Sequence, residues 1–200
     1  ALFEAQFVSW RGSAKKILVI FGDNIPHDCG FNSVSTGKDP GRDELIKRKR
    51  ANIKEQIEIV KEISRHKPQA LVIECMAIAP ELQRVSETEM IKSNIGVLTN
   101  VRMDHQDRMG WTLTEIANSL SEFIPYNGYL VCGEQNPGLV FIIRKRARER
   151  NTDVIEVSGT LSTEEKEHLR KFNYIEHEEN VALALGVGDL LNIDRAVAFK

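Results

Sequence analysis

Cysteine is scarce. Cys29, Cys75 and Cys132 are odd in number, widely spaced and form no Cys-x-x-Cys pair, which argues against a disulfide framework or a zinc knuckle and favours a reducing, cytoplasmic setting. Long apolar runs are missing as well: Leu139–Ile143 and Val181–Val187 fall far short of the ~20 residues needed to cross a bilayer. The amino terminus lacks a charged start followed by an apolar stretch and a small-residue cleavage site, so no signal peptide is expected. Neither sign of charge dominates. A net charge of -2, with 28% charged and 42% hydrophobic residues, is ordinary globular composition and advertises no nucleic-acid partner. There is no internal repeat, low-complexity tract or evident linker, and 200 residues suit one domain spanning the whole chain.

What is present is alternation. From about Arg50 onward, short β-branched runs alternate with helical patterns, the signature of βαβ units around a mostly parallel sheet with helices on both faces. Asn52–Arg65 reads as an amphipathic helix, with Ile53, Ile57 and Val60 on one face. Lys16–Phe21, Ala70–Ile73, Ile95–Thr99, Tyr129–Cys132 and Val154–Val157 read as strands, with Ala70–Ile73 expected to be buried. Pro80 opens a helix, and Thr112 with Glu115 forms a capping box for the helix beginning at Leu113. Leu139–Arg150, Thr163–Phe172 and Asn180–Leu191 complete the helices, while Gly22–Asp43 is rich in turn formers and reads as loop.

Ligands of open α/β sheets bind beyond the carboxyl ends of the strands. Glu74 sits at such an end; a carboxylate there needs a cation, a hydrogen-bond donor or solvent, so a metal role stands beside a helix-cap or salt-bridge role. Asp104, His105 and Asp107, in the loop from Asn100 to Trp111, are able to hold a cation or orient water and phosphate. Equally, they can be turn formers on a surface loop. Asn180 precedes an alanine-rich helix, where asparagine serves well as an N-cap. His27, Asp28 and Cys29 lack partner ligands at zinc spacing and read as loop.

An ordered series is more specific than any of these alone. Val72-Ile73-Glu74-Cys75-Met76-Ala77, Asn94-Ile95-Gly96-Val97, Asn100-Val101 with Asp104-His105 and Asp107, Met109-Gly110, and Ile124-Pro125-Tyr126-Asn127-Gly128 are followed by Leu169-Arg170-Lys171-Phe172 and Asn180 with Ala182 to Val187. From about Ile46 to Lys200 the chain resembles the ligase subunit of poly-γ-glutamate (capsule) synthases, a Mur-ligase-like family similar to folylpolyglutamate synthases; residues 1–45 diverge. The resemblance implies a Mur-ligase-like central domain that uses ATP and Mg2+ to form amide bonds. A carboxylate on a glutamate chain would attack the γ-phosphate, and the amine of an incoming glutamate would displace phosphate from the acyl phosphate. It assigns Glu74 and His105 to the metal, Asp104 and Asp107 with His105 to the catalytic loop, and Asn100 and Asn180 to the nucleotide. It also implies glutamate and poly-γ-glutamate as substrates, and membrane subunits of a synthase as partners at the inner face of the membrane.

One departure stands out. Mur-like ligases carry a loop of the form Gly-Thr-x-Gly-Lys-Ser/Thr whose amides wrap phosphate, and no intact copy is present. The nearest candidates are Arg11–Lys16, without the first glycine, and Thr36–Asp39, with aspartate in place of the hydroxyl residue. The gap keeps open a second expectation, a non-catalytic assembly or nucleotide-binding module of a synthase. A kinase-like enzyme is disfavoured by the ordered series from Asn100 to Gly110. The basic residues Lys47, Arg48, Lys49, Arg50 and Arg102 suit a polyanionic substrate and equally suit a solvated face.

Overall fold

The computed structural model describes residues 69–75, 77–172 and 176–198, together with the backbone of the strand at 15–20. The chain divides into two compact units, Ala1–Lys15 with Asn24–Leu71 and Lys16–Asp23 with Val72–Lys200; the fold set out here is that of the second. Among the expectations, the helix at Asn52–Arg65, the basic run at Lys47–Arg50, the cluster at His27–Cys29 and both candidate phosphate loops lie outside the described residues.

Five strands, Lys15–Ile20 (β1), Ala70–Glu74 (β2), Ile95–Leu98 (β3), Tyr129–Cys132 (β4) and Asp153–Glu156 (β5), form one sheet in the order β2-β1-β3-β4-β5. The pairs β1–β3, β3–β4 and β4–β5 are parallel, with Val19 beside Val97, Val97 beside Val131, and Val131 beside Ile155. Parallel neighbours require crossovers. Helices Pro80–Val85 (α1), Leu113–Leu120 (α3) and Pro137–Glu149 (α4) alternate with the strands, and Thr163–Leu169 (α5), Glu178–Leu190 (α6) and Arg195–Ala198 (α7) follow them.

The pleat decides which helix each strand residue meets. Ile95, Val97 and Val131 point to one face, where they pack with Leu183 of α6. Gly96 lies on the other face, against Phe123, Pro125 and Leu130. Helices therefore cover both faces, as expected from the alternation. Ile116, Leu130 and Ile143 are fully buried, each contributing about 1.5–3 kcal/mol. Close packing of α6 on the sheet needs a glycine: a Cβ on Gly186 would lie 2.8 Å from Val157 Cγ2 and 3.3 Å from Val131 Cγ1.

Local signals explain the boundaries. Pro80 occupies the first turn of α1 after Ala79. The turn that follows widens into a π-helical segment, Ser86–Ile91, closed by Lys92 in the left-handed region at φ 52°. Thr112 and Glu115 form the expected capping box at α3. The Thr112 hydroxyl, with the Trp111 and Thr112 amides, holds the Glu115 carboxyl below its ordinary pKa. Asn136 caps α4 by accepting the Gly138 amide, so that helix begins two residues earlier than periodicity suggests.

One expectation is corrected. Ala70–Glu74 is not a buried strand: it alternates exposed and half-buried residues, and Val72 is 64% exposed. Among the described strands it ends the order, an edge position where side chains are less fully covered than at the centre of a sheet.

The exits of β3 and β4 are pressed together. The Gly133 amide donates to Leu98 O at 2.8 Å, and a Cβ on Gly133 would fall 2.4 Å from Thr99 O. Because the obstruction is backbone, Gly133→Ala should cost about 1–3 kcal/mol, read as a lower urea midpoint with an unchanged slope. A midpoint equal to that of the unsubstituted chain would mean the two exits part freely.

Candidate functional site

The carboxyl ends of β3, β4 and β5 open into three successive loops. The first, after Leu98, contains Asn100 and runs into a short helix, Gln106–Met109 (α2), where sequence patterning indicates only loop. Four residues without an apolar repeat leave no periodic signal.

Asn100 is half-buried, and its Oδ1 is enclosed without any hydrogen-bond partner. A buried acceptor in that condition costs about 1–3 kcal/mol, so it is placed to receive a donor or a cation.

Asp104 and His105 form a pair. The His105 amide donates to Asp104 Oδ1 at 2.7 Å, and His105 Nε2 stands 3.6 Å from Asp104 Oδ2. The carboxylate thus holds the backbone of His105 and lies near its ring, beyond hydrogen-bond range. The histidine ring is largely buried, whereas Asp104 is half-exposed. His105 adopts φ 45°, ψ 40° at the start of α2, a left-handed conformation that costs a residue bearing a Cβ about 1–2 kcal/mol.

The remaining candidates are scattered. Asp107 is exposed on α2, 3.4 Å from Arg108 Nε, with both side chains in solvent. Glu74 is exposed at the end of β2. Among the described residues no three His, Cys, Asp or Glu side chains converge as a metal cage, so Glu74 and His105 are not joined by a third such ligand. Asn180 is not a cap: α6 begins at Glu178 with His177 as its N-cap, and the Asn180 amide group donates to Glu176 Oε1 at 2.9 Å. Arg102 reaches from the β3 exit toward Glu179 in the first turn of α6, at 3.9 Å.

Glu134 was not among the residues singled out from sequence. It is buried at the exit of β4. Its Oε2 accepts the Val101 amide at 2.7 Å, and its Oε1 accepts the amides of Gln135 at 3.0 Å and Asn136 at 2.8 Å. The signal that would have found it is the one that found Glu74, a carboxylate just past a strand's carboxyl end.

Beneath these loops lies Cys132, buried at the end of β4. Burial pushes its thiol up to about 11, and burial likewise raises that of Cys75. The thiolate is the reactive form. At neutral pH both cysteines should therefore resist Ellman's reagent in the folded chain and react only on denaturation; prompt reaction of Cys132 in the folded state would contradict the packing described.

A separate cavity of about 360 Å³ lies between β5, α5, α6 and α7, lined by Glu156, Ser158, Glu165, Asp189 and Arg195. Its charges are internally matched. Arg195 Nη2 meets Asp189 Oδ2 at 2.6 Å, Arg195 also pairs with Glu165, and Glu156 pairs with Arg144.

Comparison with known proteins gives a consistent answer. The family model described as Mur ligase middle domain matches residues 30–194. The chain is similar to PGA synthase CapB of Bacillus subtilis (strain 168), with 43% identity over 164 residues, 81% of this chain and 41% of that protein. It is also similar to capsule biosynthesis protein CapB of Bacillus anthracis, with 41% identity over 160 residues, 79% of this chain and 34% of that protein. The chain therefore spans well under half the length of these curated relatives. Among solved structures, the FPGS-AMPPCP complex aligns over 78% of this chain and 48% of that chain, at 16% identity and a TM-score of 0.49, too distant to bear on chemistry.

Proposed function

We infer that this chain, which belongs to the Mur ligase middle domain family, forms the nucleotide-handling part of an ATP-dependent amide ligase of poly-γ-glutamate synthesis. The observation that carries the reading is the enclosed, unpartnered Oδ1 of Asn100, in the same loop as the Asp104–His105 pair, past the carboxyl end of a central strand. Sequence identity of 43% with a PGA synthase supports the choice of glutamate and its polymer as substrates.

The exposed carboxylate of Glu74 at a strand end supports magnesium as the cation, an ion that prefers oxygen ligands; His105 joins it by the family resemblance. Magnesium bound with ATP keeps waters and phosphate oxygens and asks a protein for only one or two ligands, so the lack of a three-residue cage among the described residues is no obstacle. Glu74 and His105 would hold it, and it would neutralise phosphate charge. Asp104 holds the backbone of His105 in place, and Asn100 Oδ1 accepts from the bound group. Asp107, exposed on α2, adds negative charge at the rim. Asn180, set on the first turn of α6, approaches the nucleotide with its amide.

In the reaction we propose, a terminal carboxylate of the glutamate chain attacks the γ-phosphorus, the bond to ADP breaks, and an acyl phosphate results. The amine of an incoming glutamate then attacks the acyl carbon, and inorganic phosphate leaves as the amide forms. Catalysis of the first step is mostly alignment and charge neutralisation. A second reading rests on the absence of an intact Gly-Thr-x-Gly-Lys-Ser/Thr loop from the 200 residues: an assembly module that docks membrane subunits of a synthase. No described helix is long and apolar enough to cross a membrane.

Calorimetric titration with ATP, with magnesium and then with EDTA, separates the readings. Micromolar binding that weakens by about tenfold or more without magnesium, 1.4 kcal/mol or more, is the expected result and would justify an assay for glutamate-dependent ADP release. No binding in either buffer would leave the assembly reading.

A further inference from the structure

We propose that Glu134 is a positioning residue of this site, one carboxylate that sets the loop bearing Asn100, Asp104 and His105 against the loop that follows β4. The proposal rests on the nucleotide reading given above and adds to it a group that touches neither nucleotide nor metal.

Both oxygens of Glu134 are committed to protein amides: Val101 on one side, Gln135 and Asn136 on the other. A buried carboxylate with three such donors makes charge-assisted bonds, about twice as strong as neutral ones. Its reach is long in sequence, since Val101 and Glu134 are 33 positions apart. The peptide held at Val101 is the one that follows Asn100, so the backbone carrying the unpartnered Oδ1 is pinned from one side. The chain of contacts continues outward. Gln135 Nε2 donates to Gly133 O at 3.1 Å and to Val157 O at 3.0 Å, which ties the β5 exit to the same point. Asn136, whose amide Glu134 accepts, uses its own Oδ1 to cap α4. Three successive strand exits are laced through one side chain and its neighbour. With three of its about four acceptor positions taken by backbone amides, Glu134 acts through the loop it holds.

The distinction from a plain structural staple lies in what is lost. If Glu134 sets the magnesium side of the site, weakening its hold should damage the magnesium-dependent part of ATP binding and spare the remainder. Glu134→Gln keeps the shape and one acceptor oxygen, but turns the other position into a donor that faces an amide. In the unliganded chain, amide hydrogen exchange at Val101 and through residues 102–105 should quicken by about tenfold or more, with the amides of β4 and α3 unmoved. ATP affinity in magnesium should fall by about tenfold, while affinity in EDTA stays as in the unsubstituted chain. Glu134→Asp keeps the charge but is one methylene shorter; it should protect Gln135 and Asn136 and leave Val101 exposed to exchange, and it serves in place of the glutamine variant if that variant does not fold. Unchanged exchange at Val101 in both variants would overturn the proposal. So would equal losses of affinity in magnesium and in EDTA, the mark of a generally loosened fold. If the unsubstituted chain shows no magnesium-dependent binding, the nucleotide reading falls instead, and the exchange measurement alone decides whether Glu134 sets the loop.

Discussion

His105→Gly is expected to abolish most magnesium-dependent ATP binding while leaving the melting temperature unchanged or slightly raised. The histidine sits at φ 45°, ψ 40°, where glycine is at ease and a side chain is not. Relief of that strain offers about 1 kcal/mol, offset by losing the contacts of a largely buried ring, that with Asp104, 3.6 Å from Nε2, among them. On the binding side, if His105 holds magnesium as proposed, its removal should weaken affinity in magnesium by at least the about 10–100-fold that loss of an outer-shell partner costs. A residue held in a costly conformation and yet better tolerated as glycine is one whose position serves something other than folding. His105→Asn separates the two contributions, since asparagine accepts the left-handed region and supplies an oxygen, so it should retain part of the affinity. Calorimetry and thermal melts on the three chains decide the matter. Full affinity in the glycine variant would remove His105 from the metal site.

Arg150→Met should produce the largest loss of stability, about 3 kcal/mol or more. Arg150 is 3% exposed and closes α4 at the amino ends of β4 and β5. Its guanidinium donates to Glu122 O at 2.8 Å, Ile124 O at 2.6 Å and Glu122 Oε2 at 2.8 Å, and lies 4.9 Å from the centre of the Tyr126 ring. Methionine fills much of the volume but leaves two carbonyls and a largely buried carboxylate without that donor. Arg146 still reaches Glu122 Oε1 at 2.8 Å, which keeps the expected cost at the lower end for a broken buried pair. Urea unfolding should show a lower midpoint with an unchanged slope. Adding Glu122→Gln to Arg150→Met should cost less than the two changes summed, because the second removes the stranded charge. A loss below about 1 kcal/mol would place the cluster with surface ion pairs.

Most of the sheet was legible because strands and turns leave local marks. Ile95–Leu98, Tyr129–Cys132 and the capping box of Thr112 with Glu115 each depend on residues adjacent in sequence. What was not legible depends on distant partners. Nothing in Ala70–Glu74 reveals that it ends the order of the described strands, so its apolar run reads as buried. The place of Glu134 just past a strand end marks it as a candidate, but only the fold brings it to the Val101 amide. At Asn180 the composition allows a cap, and the helix in fact begins two residues earlier. Asp104 and His105 were named from their place past a strand end and Asn100 by resemblance, whereas the hold of Asp104 on the His105 backbone and that of Glu134 on the loop required coordinates.

The strand order has a consequence for how the molecule is made. Ile17 pairs with Ile95, so this pairing joins β1 to a strand synthesised long after it. Closing so long an interval costs chain entropy before any pairing rewards it, and parallel sheets built from such contacts fold slowly. β3, β4 and β5 are consecutive and can pair as they emerge, leaving β3 with an open side until β1 arrives. Acquisition of the sheet during refolding should therefore be biphasic, with an early β3–β5 stage. Chaperones able to shield an unpaired strand edge would act in the interval before β1 docks.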